Sequence, residues 1–267
     1  MASSPTRVLV VGASRGLGAS LLKQYSQRSP SPVVFGTARQ ASAPTSGPQG
    51  VTWLPNVDVS GPEAGNAIVD GYKAHSKSPI DILIITAGYF GKESFAPTDA
   101  PSYDAQVSMY KISAIAPTLI VSALTAANLL RTGSKVILVS SESGSISLRH
   151  ESEGGGNFGH HASKAALNMV GKLLSIDLKE KGVAVGLVHP GFMRTEMTKS
   201  VGFDKFWDAG GAVTPDEAAQ SLAEWVDTFD ISKTGEYWAP RGPGDIGTAE
   251  PVLGPKDKLP TPLQLPW

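Results

Sequence analysis

The stretch 7-RVLVVGASRGLG-18 decides the fold. Its first half, Arg7–Val11, is short, β-branched and apolar throughout, the pattern of a strand buried on both faces. Its second half sets three glycines in the run Gly12-Ala13-Ser14-Arg15-Gly16-Leu17-Gly18, just where helical spacing begins over Leu17–Tyr25. Glycines let the backbone turn sharply and approach a phosphate. The helix beyond offers free N–H groups and its positive dipole end to an anion. The spacing G-x-x-x-G-x-G excludes the P-loop pattern. In this strand–turn–helix setting Gly12, Ser14, Arg15, Gly16, Leu17 and Gly18 are candidates to hold a dinucleotide.

Outward from this stretch the same alternation continues. Apolar strands are expected at Pro32–Thr37, Val51–Leu54, Asp81–Thr86, Lys135–Ser140 and Ala184–His189. Helices are expected near Pro62–His75, around Ser102–Leu130, after His160, and from Pro215 to about Phe229, where Thr214 and Glu217 form a capping box. All-apolar strands separated by helices indicate an α/β fold: a Rossmann-type doubly wound parallel sheet with helices on both faces. Residues 1–240 form one domain in this reading. Residues 241–267 form a proline- and glycine-rich tail, either loose or wrapped over the body.

Composition narrows the function. The chain has 267 residues, of which 41% are hydrophobic, and a net charge of −1. No basic patch stands out, so neither nucleic acid nor an anionic membrane is an expected partner. No apolar run approaches the roughly 18 residues of a membrane span. The polar lead of MASSPTRVLVV passes straight into a strand, so no signal peptide is expected. With no cysteine, thiolate catalysis and cysteine metal sites are excluded. A cytoplasmic location is expected.

The second strand ends in Gly36-Thr37-Ala38-Arg39, with no acidic residue to accept the 2′-hydroxyl of NAD. Arg39 and Arg15 are placed to meet a 2′-phosphate, the feature that selects NADP(H). Either arginine can equally be an ordinary surface charge. Asp58 and Val59, after the third strand, can hold the adenine edge.

Together with the glycine loop, Asp58-Val59, Ala87-Gly88, Ser140-Ser141, Ser163-Lys164 and Pro190-Gly191 resemble the short-chain dehydrogenase/reductases in order and spacing, over about residues 7–240. The run SSESGSISL…SKAALNM…DL resembles the sniffer-like carbonyl reductases within that family. The resemblance implies NAD(P)(H) binding, with a Ser that polarises a carbonyl, a Tyr that exchanges its proton, a Lys that tunes the Tyr and holds the ribose, and an Asn that holds a relay water. Carried over, the Ser is Ser141, the Lys is Lys164 and the Asn falls on Ser113. At the Tyr position stands His160. The family's Asn-Asn-Ala-Gly reads Ile85-Thr86-Ala87-Gly88 here. The cofactor motifs are better kept than the proton-transfer motifs. Thr195 matches the family's carboxamide-binding Thr.

A histidine can donate as imidazolium and accept as imidazole, with an ordinary pKa near 6.5. Lys164, four residues on and on the same helical face, disfavours the imidazolium. Neutral imidazole is a weak acid, so the substitution is expected to impair ketone reduction unless burial or an acidic neighbour compensates. His161 lies about 100° further round the helix and is expected behind the site or at the substrate. Adjacent histidines suit metal chelation poorly on a helix, and no metal is expected. Arg149–Asn157 (RHESEGGGN) is expected to form a polar, flexible rim loop.

In the resemblance, residues near 193–213 form a lid over the substrate. Phe203, Phe206 and Trp207 there, with Tyr89, Phe90 and Phe192, imply a hydrophobic or aromatic ketone or aldehyde; docking of the lid on the core is the alternative for these aromatics. The leading reading is an NADPH-dependent carbonyl reductase using Ser141, His160 and Lys164. A lyase, isomerase or cyclase with NADP(H) structural or absent, and a non-catalytic dinucleotide-binding regulator, remain open. The helix Ala165–Leu178 is apolar on more than one face, so a homodimer or homotetramer is expected.

Overall fold

The computed structural model describes residues 5–45 and 47–267. Residues 1–4 of the polar lead and Ser46 in the loop 40–50 lie outside the described residues. Among the described residues, eight strands form one sheet: β1 (Arg7–Val11), β2 (Val33–Thr37), β3 (Val51–Leu54), β4 (Ile82–Ile85), β5 (Lys135–Val139), β6 (Ala184–Val188), β7 (Tyr237–Ala239) and β8 (Leu263–Gln264). Their order is β3-β2-β1-β4-β5-β6-β7-β8, with β8 alone antiparallel. The chain leaves β1 toward β2 on one side and returns to β4 on the other. That reversal opens a crevice at the carboxyl ends of the strands, where ligands bind in open α/β sheets.

The pleat sends alternate residues to opposite faces, so each central strand feeds two cores. Leu9 and Val11 pack with α2 (Ala64–His75), α4 (Ala116–Ala126) and α5 (Phe158–Lys179). Val8 and Val10 pack with α1 (Gly16–Ser26) and α7 (Pro215–Thr228). The doubly wound arrangement follows from strands that are apolar at every position. Thr214 and Glu217 close the expected capping box of α7, with Pro215 in its first turn.

The long helix expected over Ser102–Leu130 is divided. It runs as α3 (Tyr103–Tyr110), a π-helical turn at Lys111–Ile115, and α4. Pro117 has no N–H, so the carbonyl of Ser113 loses its α-helical partner and the turn widens. This run corrects a sequence expectation: Tyr103–Ala126 is long and apolar enough, by length and composition, to cross a membrane. Its alanines and valines raise the hydropathy without forming an unbroken run of large apolar residues. Its Met109, Ile120, Val121 and Leu124 are buried in the fold.

Helix α5 starts two residues ahead of His160. Asn157, its N-cap, is left-handed (φ 49°) and gives no side-chain cap. Instead the buried carboxylate of Glu93 accepts the Gly159 N–H at 2.6 Å. The short elements β7, α6 (Glu196–Ser200), α8 (Ala249–Leu253) and β8 carry too little periodicity to be read from sequence. Residues 241–267 pack onto the body: β8 pairs with β7, and Ile246, Ala249, Leu263 and Leu265 are in the core.

Candidate active site

The glycine turn leaves no room for a side chain at Gly12 or Gly18. A Cβ on Gly12 (φ +86°) would stand 2.7 Å from the Ala87 nitrogen, and one on Gly18 would drive into the Gly12 carbonyl. Two threonines pin the turn. Thr37 accepts the Gly12 N–H at 3.0 Å, and the Thr86 hydroxyl lies 3.0 Å from the carbonyls of both Val11 and Gly12. Helix α1 begins without a capping side chain and without an acidic residue in its first turn. Its N–H groups and dipole are therefore free for an anion. Arg15 and Arg39 are exposed beside it. Asp58 accepts Ser60 N–H and O–H at 3.0 and 2.8 Å, and these bonds hold its carboxyl below the usual range. The cradle fits a dinucleotide: backbone where a diphosphate needs close approach, cations where a further phosphate sits.

One cleft of about 1490 Å³ runs from this cradle to the carboxyl ends of β5 and β6. Its walls include Gly12, Ser14, Arg15, Gly16, Leu17, Gly18, Arg39, Asp58 and Val59 at one end, and Ala87, Gly88, Pro190, Gly191 and Thr195 at the middle. Ser141, His160, His161 and Lys164, with Tyr89, Phe192, Phe203 and Phe206, line the other end.

At that end β5 and α5 meet. Ser141 Oγ lies 2.7 Å from Ser143 Oγ, which lies 3.4 Å from His160 Nδ1. Tyr237 from β7 donates its O–H to the Ser141 carbonyl, and the Ser140 hydroxyl donates to Asn168 at 2.6 Å. The serine pair is thus fixed from behind. Phe90 stacks on the His160 ring, with centroids 4.1 Å apart. Burial holds His160 well below its usual pKa, and the Lys164 charge adds to the effect. Lys164 is buried, donates to the Val139 carbonyl at 2.9 Å, and is brought down by burial to about 8. His161, whose Nδ1 is 3.0 Å from the Asn157 carbonyl, is also lowered, first by burial and then by Arg149. Both imidazoles of the corner are thus shifted toward their neutral forms.

Above it, Arg149 pairs with Glu142 and with Glu153 (2.8 Å) and braces the rim segment 149–157. The lid side carries α6, whose Thr195 forms a capping box with Thr198. Phe203 meets Phe90 edge-on at 5.5 Å. Asp245, buried in the C-terminal segment, accepts the Phe192 N–H at 3.0 Å and fills the side of Gly191 (φ +108°) where a Cβ would stand.

The family model for short chain dehydrogenase matches residues 6–205. The chain belongs to the short-chain dehydrogenase family. It is 30% identical over 233 residues to the 1-hydroxy-2-glutathionyl-2-methyl-3-butene dehydrogenase of Rhodococcus sp. strain AD45, covering 86% of this chain and 94% of that protein. Among solved structures it resembles NADPH-bound carbonyl reductase from chicken fatty liver (TM-score 0.73, 21% identity, 88% of this chain and 92% of that one). It also resembles carbonyl reductase Sniffer of D. melanogaster (TM-score 0.72, 19% identity, 99% and 100%).

Within this short-chain dehydrogenase, two residues singled out from sequence stand away from the cleft. Ser113 is buried with its hydroxyl unpartnered, and from the same π turn Ile112 reaches the cleft wall. The widened turn rotates the register that a regular helix would give. Trp207 instead anchors the lid, donating to Thr198 at 3.2 Å, with the Arg194 guanidinium 5.9 Å from its ring. Sequence reading placed Phe90 beside Tyr89 at the substrate pocket and Arg149 in the rim loop, but did not find Thr37, Ser143 or Asp245. Thr86 was noted only for displacing an asparagine. No spacing rule marks these residues, because each acts across elements distant in the chain.

Proposed function

We propose that this oxidoreductase interconverts a hydrophobic or aromatic carbonyl compound and its alcohol, using NADP(H), with Ser141 and His160 on the substrate oxygen. The observation that carries the reading is the linked Ser141–Ser143–His160 chain, set beside Lys164 in the same cleft as the glycine cradle. His160 takes the place that the family gives to tyrosine, exchanging the proton through its imidazole–imidazolium couple. Lys164 keeps a positive charge beside His160 in the cleft, suited to the ribose. Thr195 would meet the nicotinamide carboxamide. The bound cofactor supplies the hydride acceptor or donor, and every proton is handled by the protein.

NADP(H) over NAD(H) is supported by Arg15 and Arg39 flanking the cradle, with no acidic residue at the end of β2. Phe90, Phe192, Phe203 and Tyr89 favour an apolar substrate. Pairing as a homodimer or homotetramer is supported by exposed Met169, Leu173 and Ile176 on α5, Ile115 in the π-helical turn and Leu119 on α4, while β8 covers the edge of β7. The test is a parallel titration with NADPH and NADH, followed by turnover of 1-phenylethanol and acetophenone. NADPH-selective binding with turnover supports the reading, and failure of the folded protein to bind either nucleotide removes it.

A further inference from the structure

The C-terminal segment delivers one carboxylate to the cleft wall. The Asp245 side chain is 4% exposed and the His189 side chain beside it 6%, and both residues line the cleft. Asp245 Oδ2 accepts the Phe192 N–H at 3.0 Å and lies 3.4 Å from Arg241 Nε. The same oxygen takes the space beside Gly191 where a Cβ would stand, 2.6 Å away. Oδ1 faces His189 Nε2 at 3.9 Å, beyond hydrogen-bond length. Both of these atoms are buried and have no hydrogen-bond partner among the described residues.

His189 is held in one tautomer. Its Nδ1 takes the Glu142 N–H at 3.1 Å, so Nδ1 is the acceptor and the ring proton sits on Nε2, toward Asp245. Glu142 directly follows Ser141, and Phe192 lies three residues ahead of Thr195. One carboxylate therefore reaches two loops. Through Phe192 it holds the segment that carries Thr195, and through His189 it faces the support of the backbone beside Ser141. Burying a carboxylate costs free energy, which has to be offset by donors around it. This place needs an acceptor on both sides: a backbone N–H meets one oxygen and a ring N–H faces the other. An amide of the same shape offers one acceptor and one donor, and so matches only one side.

We propose that Asp245 is a positioning residue for the nicotinamide half of the cofactor. It touches no reacting atom and acts through Phe192 and His189, keeping the Thr195 segment and the Ser141 backbone in register across the cleft. The C-terminal segment is thereby part of the cofactor site. This inference rests on the NADP(H) reading above and deepens it.

The experiment titrates full-length wild type and Asp245→Asn by calorimetry with two ligands. One is NADPH; the other is adenosine 2′,5′-bisphosphate, which carries the adenine half and no nicotinamide. In Asp245→Asn the amide NH₂ opposes either the Phe192 N–H or the His189 Nε2–H. The expected result is an NADPH affinity about tenfold weaker, on the scale of one buried hydrogen bond, with bisphosphate affinity unchanged. Equal NADPH affinity in the two proteins overturns the proposal. Equal weakening of both ligands also overturns it, because Asp245 then only supports the fold. A folded wild type that binds neither ligand removes the NADP(H) reading, and this one with it. A second readout needs no change at Asp245: ¹⁵N-histidine NMR of the wild type, with the His189 signals assigned by their loss in His189→Gln. A proton on Nε2 alone is expected. A proton on Nδ1, in the other tautomer or in the imidazolium, overturns the proposal.

Discussion

The two ends of the cleft are built from different materials. The cradle after β1 is backbone: Gly12 and Gly18 are defined by side chains they cannot carry, and α1 contributes bare N–H groups. The corner after β5 is side chain: two serines, an imidazole and an ammonium, each held by one or two hydrogen bonds. Backbone cradles tolerate almost no substitution, because a Cβ has nowhere to go in a packed turn. A side-chain corner can exchange its chemistry while the scaffold stays. This difference explains how an intact cradle coexists with a histidine beside Lys164.

The comparison breaks most severely at the cradle. Gly18→Val is expected to abolish nucleotide binding, since the new side chain collides with the Gly12 carbonyl and Ala13. Fluorescence titration of the variant, with circular dichroism to confirm folding, is the check. At the other end, His160→Ala is expected to lose at least about tenfold in turnover, the lower side of what a general acid–base contributes. Comparing kcat for 1-phenylethanol and acetophenone between wild type and variant reads this.

Arg39→Ala probes the cradle's cationic edge. Removing a charge-assisted phosphate contact costs about 1.5–3 kcal/mol, or roughly ten- to a hundredfold in NADPH affinity. NADH affinity should stay level, so the ratio of the two dissociation constants is the measurement. The smallest effect is on stability. His160 and His161 are both lowered, so below about pH 6.5 the unfolded chain binds protons that the native one does not. Stability from these groups is complete above the unfolded pKa and is lost as pH falls below it. Thermal unfolding between pH 7.5 and 5.5 should show a smaller loss of Tm in His160→Gln than in wild type.

The same division governs what could be read in the sequence. Strands β1 to β6 stood out, within a residue of their observed ends, because apolar runs closed by glycine or polar residues have one physical meaning. The glycine turn stood out for the same reason. The corner was legible only in part. His160 and Lys164 share a helical face and could be paired by spacing, whereas Ser143 and Phe90 reach His160 from separate elements. The start of α5 was hidden because its cap, Glu93, lies 66 residues upstream of Gly159. The C-terminal segment carries proline and glycine instead of periodicity. Neither β8 nor the contact of Asp245 with Phe192 could be anticipated from it.

The central claim is that an NADP(H) cradle operates independently of a histidine-based proton corner. Its most direct test is to titrate NADPH and NADH into wild type and His160→Ala, following energy transfer from tryptophan to the nicotinamide. The account predicts saturable, NADPH-selective binding with the same affinity in both proteins. Failure of the folded wild type to bind either nucleotide, or loss of binding along with His160, would contradict it.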